Sequence, residues 1–213
     1  MRFNNIDICS EYDHELTDMI RIESSHIIDM YLRLLKYYEN AHCKKLNISC
    51  NEKAVHPCIS SRRNGYIRLH MPFCPNRFSS LSPSQKSLFY LDLINSSILY
   101  LGMQWDWNLS YFTGIHRSIL ASNFKNQWIH GKPSPSPDRH KQACLKIVQT
   151  IDEAVVFLII TQDRKVTKKI TVTTAEPVFW IYRQYLGQIR WIDSSRLEIT
   201  GKAGEILFEA CGL

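Results

Sequence analysis

Apart from a short hairpin around residues 44–71, apolar residues recur at helical spacing as far as about residue 121, and then the period changes. From Cys144 onward they come in short β-rich runs separated by turn residues. A chain patterned this way cannot be all helix or all sheet. The expected class is α+β, with an N-terminal amphipathic helix and a short β-hairpin, a central αα-hairpin and a C-terminal antiparallel β-meander.

The first helical stripe runs from about Asp13 to His42 through Leu16, Ile20, Ile27, Tyr31, Leu34 and Tyr38, with a break expected near Ser24-Ser25. Lys44 to Cys50 then alternates as a strand. Asn64-Gly65 marks a tight turn, and Tyr66 to Met71 follows as a second strand ended by Pro72. Ser82, Pro83 and Gln85 stand where an N-cap, a first helical residue and a capping-box partner belong. Leu88, Leu91, Ile94, Ile98 and Leu101 continue that helix, which Gly102 is placed to end. Asp106 is the expected cap of the next helix, with Phe112, Ile115, Ile119 and Leu120 facing inward.

Lys132-Pro133-Ser134-Pro135-Ser136-Pro137 cannot be helix or central strand and reads as an extended connector. The expected division is therefore an α-rich region over 1–124, a connector over 125–138 and a β-rich region over 139–213, or one domain over 1–213. In the last region strands are expected at 144–148, 154–161, 166–173, 189–192, 197–200 and 206–208, with a short helix opening after Pro177.

The composition, 45% hydrophobic and 22% charged over 213 residues, is that of a globular chain able to bury a core without staples. No run approaches the roughly 18 to 20 apolar residues of a membrane helix. The N-terminal stretch lacks a signal peptide's apolar region, so a cytoplasmic location and no membrane partner are expected. Seven cysteines, an odd number at irregular spacing, read as free thiols and not as a disulfide framework.

Charge is unevenly spread. Residues 1–40 hold eight acids and four bases, and the remainder 12 acids and 22 bases, within a net charge of +6. This asymmetry implies either mutual packing of the two regions or two distinct binding surfaces. Asp13, Glu15, Asp18 and Glu23 form a candidate steering face for a protein partner. No acid occurs from Lys53 to Leu91, and there Arg62, Arg63, Arg68 and Tyr66 form a candidate nucleic-acid face, with bases for phosphates and a ring for stacking.

His42, Cys43, Cys50, His56, Cys58, His70 and Cys74 fall within residues 42–74, but only His56 and Cys58 have zinc-ligand spacing and no second close pair follows. Neither a metal nor a cofactor is expected. No nucleophile elbow, phosphate loop or metalloprotease motif is present. His130 and His140, flanking the Pro-rich segment beside Lys132, Arg139 and Lys141, are the one candidate pair for a hydrolase or nuclease.

Leu91-Asp92-Leu93-Ile94 through Leu101-Gly102-Met103-Gln104-Trp105-Asp106, with Trp191-Ile192-Asp193, resemble small bacterial proteins of toxin–immunity systems over the region from Ser82 to Ile199. The resemblance implies a non-enzymatic protein-binding module that occludes a toxin domain. It carries no invariant catalytic residues. Immunity proteins against nuclease toxins are typically acidic, whereas this chain is basic. The resemblance therefore implies either a toxin that is not a nuclease or binding through the acidic face of residues 7–39. Nucleic-acid binding by residues 44–86 is the alternative reading, and a hydrolase at His130 and His140 the second alternative.

Overall fold

A computed structural model describes residues 1–36 and 38–213. The chain is mixed α+β and divides into two compact units, Met1–Lys125 and Asn126–Leu213.

The first element of the first unit is not the expected helix but a strand, β1 (Asn5–Ser10). Helix α1 (His14–Leu35) returns the chain to β2 (Lys45–Asn51), which pairs with β1 in parallel, as a helical crossover allows. An edge strand β3 (Cys58–Arg63) turns at Asn64-Gly65 into β4 (Tyr66–Pro72), which inserts beside β2 in parallel. The sheet order is β1-β2-β4-β3. Short α2 (Pro75–Ser79) leads into α3 (Pro83–Trp105) and α4 (Leu109–Ala121), which pack together as the αα-hairpin and against α1.

Alternation gives the sheet one apolar face. Ile6 and Ile8, Leu46, Ile48 and Cys50, and Ile67, Leu69 and Met71 stand in register across three strands, and all are buried. This is the helix side: the Thr17 hydroxyl of α1 donates to the Ser10 carbonyl, and the Tyr90 ring of α3 lies near the Cys50 thiol. The opposite face carries Asn5, Asp7 and Cys9, Lys45, Asn47 and Ser49, and Tyr66, Arg68 and His70.

Five local details differ from the sequence reading. Helix α1 ends at Leu35, with Lys36 at φ 51°, and it runs unbroken through Ser24, whose small side chain fits a fully buried position. Helix α3 runs past Gly102 to Trp105 and closes on Asp106 in the left-handed conformation. A Cβ on Gly102 would stand 2.5 Å from Leu109 Cδ2, so this glycine serves close packing and not termination. Asn108, not Asp106, caps α4 by accepting from the Tyr111 amide, and Leu120 points to solvent.

The second unit is antiparallel. Strands β5 (Asn126–Pro135), β6 (Lys141–Gln149), β7 (Ala154–Gln162) and β8 (Lys165–Ala175) form one sheet in chain order. After α5 (Phe179–Tyr182), strands β9 (Gln188–Asp193), β10 (Arg196–Thr200) and β11 (Ile206–Ala210) form a second. One core joins them, with Leu145, Ile147, Val156 and Leu158 packed in the same cluster as Leu197, Ile199 and Tyr182. The segment expected as a connector is here an edge strand. Its prolines are accommodated because β5 lies at the sheet margin and its register slips between His130 and Ser134.

Candidate functional site

The four acids expected to steer a partner have different tasks. Asp13 Oδ1 accepts from the Leu16 amide at 2.6 Å and so caps α1. Glu15 and Asp18 are exposed and enter no ion pair among the described residues. Glu23 is turned inward, where Lys86 Nζ donates to its Oε1 at 2.5 Å and the Tyr90 hydroxyl to its Oε2 at 2.8 Å. Burial and the adjacent carboxylate push the Tyr90 phenol far above its ordinary range. Glu23 is therefore a clamp between α1 and α3, and its charge is spent there.

Strand register sorts the candidate nucleic-acid residues. Asn5, Lys45, Tyr66 and Arg63 form one row across all four strands, and Asp7, Asn47, Arg68 and Ser61 the next, on the face away from the helices. Lys45 Nζ lies 5.3 Å from the centre of the Tyr66 ring, which is 40% exposed. Arg62 pairs across the ladder with Ile67 and so leaves on the helix side. There its guanidinium lies 5.1 Å from the Trp105 ring, with Nη2 3.0 Å from His42 Nδ1. Arg63, Tyr66 and Arg68 thus share a face, and Arg62 does not. The turn that sets this row needs glycine: Gly65 has φ +77°, and its carbonyl accepts from the Lys44 and Lys45 amides.

The far end of the same face holds a network the sequence reading missed. Ser49 Oγ donates to Glu11 Oε1 at 2.6 Å and Asn51 Nδ2 to Oε2 at 2.6 Å. His70 Nε2 lies 3.1 Å from Glu11 Oε1, and Asn51 Nδ2 lies 3.3 Å from His70 Nδ1. In a catalytic relay the imidazole sits between hydroxyl and carboxylate. Here the carboxylate sits between hydroxyl and imidazole, so nothing activates Ser49. The arrangement ties the ends of β1, β2 and β4 together. Its trace in the sequence is the alternation of Asn47, Ser49 and Asn51 with Leu46, Ile48 and Cys50.

Beside the end of β4 lies an apolar groove of about 570 Å³ between α2 and α3. Pro72, Phe73, Phe78, Leu81, Leu88 and Phe89 form its walls, and Arg77, Gln85 and Asp92 its polar rim. Phe73, Phe78 and Phe89 pack with centroids 5.3 to 6.1 Å apart, which makes the floor rigid. Leu88, placed on the α3 stripe by its spacing, is instead 41% exposed and presents to this groove. No sequence signal separates it from the core leucines of α3.

His130 and His140 do not converge. His130 pairs with Leu145, while His140 lies in the turn before Lys141, which places them about 17 Å apart along the strand at about 3.4 Å per residue. Both are exposed. Among the described residues, no three His, Cys, Asp or Glu side chains gather as ligands would. Compared with known protein families, with curated proteins and with solved structures, the chain matches none. What it does must be argued from its own surfaces.

Proposed function

We propose that this chain is a non-enzymatic protein-binding module of the immunity or antitoxin kind, which occludes a partner such as a toxin domain. The observation that carries the reading is the groove between α2 and α3. It offers a preformed aromatic floor, an exposed leucine on its wall and a polar rim. Such a site takes a large apolar anchor from a partner and seals it from water, which is where interface energy concentrates. Glu15 and Asp18, free of ion pairs among the described residues, can add charge complementarity and speed encounter. The hydrolase alternative would need His130 and His140 within reach of one substrate, and the register of β5 and β6 keeps them apart.

The test is direct binding to the toxin-like product encoded beside this gene, measured by calorimetry, together with protection of cells that express it. Leu88→Glu, at an exposed position that should tolerate the change, is expected to weaken the complex at least tenfold and to abolish protection. Failure of the wild-type chain to bind or protect would end the proposal. So would a Leu88→Glu variant that binds as tightly as wild type.

A further inference from the structure

The groove lies on the helix side of the first unit, and the opposite side of the sheet has a separate chemistry that protein recognition there does not use. We infer that the row Lys45–Tyr66–Arg63, with Arg68, is a binding site for single-stranded nucleic acid.

Three observations converge on it. First, register places Lys45, Tyr66 and Arg63 side by side on adjacent strands, with Arg68 on the same face one row on. Side chains directly opposite one another in a ladder stand about 5 Å apart at Cβ. The row therefore flanks one ring with a cation on each side. Second, these charges are not neutralised. Lys45, Arg63 and Arg68 enter no ion pair among the described residues. The nearest carboxylate in register is Asp7, two strands from Arg68, and it is engaged with Arg21 and with the Asn47 amide. Third, the Tyr66 ring is 40% exposed on a flat pleated face, although tyrosine in a strand usually covers a neighbour.

An exposed ring between cations suits an unstacked base with a phosphate on either side. It does not suit a duplex, whose base faces are already covered. An acidic peptide offers carboxylates to the cations but nothing for the ring. The glutamate network at Glu11 closes the far end of the face to a polyanion. The strand of nucleic acid is thus directed across the β2, β4 and β3 end of the sheet.

The experiment is fluorescence anisotropy with labelled dodecamers of oligo-dT and oligo-rU, a duplex of equal length and a polyglutamate peptide, each over a series of salt concentrations. Single strands are expected to bind, with log affinity falling against log salt at a slope of about −2 if three phosphates are met at about 0.7 each. Tyr66→Ala should weaken binding about tenfold, and Tyr66→Phe, which keeps the ring, should restore it. Arg63→Gln with Arg68→Gln should flatten the slope by about 1.4. Lys202→Gln, a cation of the second unit, should change nothing, which separates the site from net charge. Circular dichroism of each variant checks that it is folded. The inference is overturned by absence of oligonucleotide binding at low salt, by duplex or polyglutamate binding as tight as single strand, or by a Tyr66→Ala variant that is folded and unchanged. Weaker binding of oligo-dT than of oligo-rU would assign the site to RNA, and the reverse to DNA. None of these readouts involves the groove or Leu88.

Discussion

Lys86 Nζ stands 2.5 Å from Glu23 Oε1, with the two side chains only 14% and 18% exposed, and joins positions 63 residues apart. The Tyr90 hydroxyl takes the other carboxylate oxygen. Removing the charge leaves a shielded ammonium facing a weaker acceptor. Glu23→Gln is expected to lower unfolding stability by about 1 to 3 kcal/mol in urea denaturation followed by circular dichroism. Glu15→Gln, at an exposed and unpaired carboxylate, should stay within about 0.5 kcal/mol of wild type. Equal effects of the two would show that Glu23 is not a clamp.

At the start of α3 both halves of a capping box are made: Ser82 Oγ accepts from the Gln85 amide, and Gln85 Oε1 accepts from the Ser82 amide at 2.9 Å. Ser82→Ala should cost about 1 kcal/mol, and Ser82→Asp should retain most of the stability because aspartate caps as well. Thermal or urea unfolding of the two variants side by side decides it. Equal loss in both would remove the cap as the cause.

The thiols should divide by burial. Cys58, Cys74 and Cys211 are exposed, whereas Cys9, Cys43 and Cys50 are buried. Burial pushes the Cys43 and Cys50 thiols up to about 12, so at pH 8 they are neither accessible nor ionised. An aromatic disulfide reagent is expected to titrate the three exposed cysteines quickly, Cys144 more slowly, and the buried three only after denaturant is added. Fast labelling of Cys50 in native protein would contradict a closed core between the first sheet and its helices.

In the turn between β5 and β6, Asp138 is held down to about 2 from an ordinary 3.8, chiefly because the Ser136 hydroxyl donates to it and also because the His140 amide does. A carboxyl with a lowered folded value binds protons more weakly folded than unfolded. Its stabilisation is thus complete above pH 4 and is lost as the pH falls through about 2. Asp193 is lowered in the same sense, first by the Arg196 guanidinium and then by Ser195. The wild-type urea midpoint, followed by tryptophan fluorescence, should therefore fall between pH 4 and pH 2. Asp138→Asn should show a shallower fall, and Asp138→Asn with Asp193→Asn shallower still. An acid dependence identical to wild type in the double variant would rule these carboxyls out as its source.

The sites were legible in the sequence only to the extent that their residue types stood out. Arg63, Tyr66 and Arg68 were recognisable as a basic and aromatic group. That Arg62 leaves this face for Trp105, and that Lys45 joins it, follows from register and from no local pattern. A one-residue slip of β3 against β4 would exchange Arg62 and Arg63 between the faces. The Glu11 network left only the alternation of Asn47, Ser49 and Asn51 as its trace, because its members lie at the ends of β1, β2 and β4 and meet only when those strands align in parallel.

The sequence by itself determined the elements whose causes are local. The capped helix at Ser82, the glycine turn at 64–65 and the alternating runs of the second unit depend on hydrogen bonds and burial within a few residues of each other. Tertiary structure decided the rest. It made a six-residue N-terminal strand part of a parallel ladder, admitted a proline-rich stretch to a sheet edge, turned Glu23 inward and brought Lys45 beside Tyr66. The physical reason is that these pairings join groups that are distant in sequence, so burying the apolar sides of the strands and helices together selects their register, and no single segment carries that information.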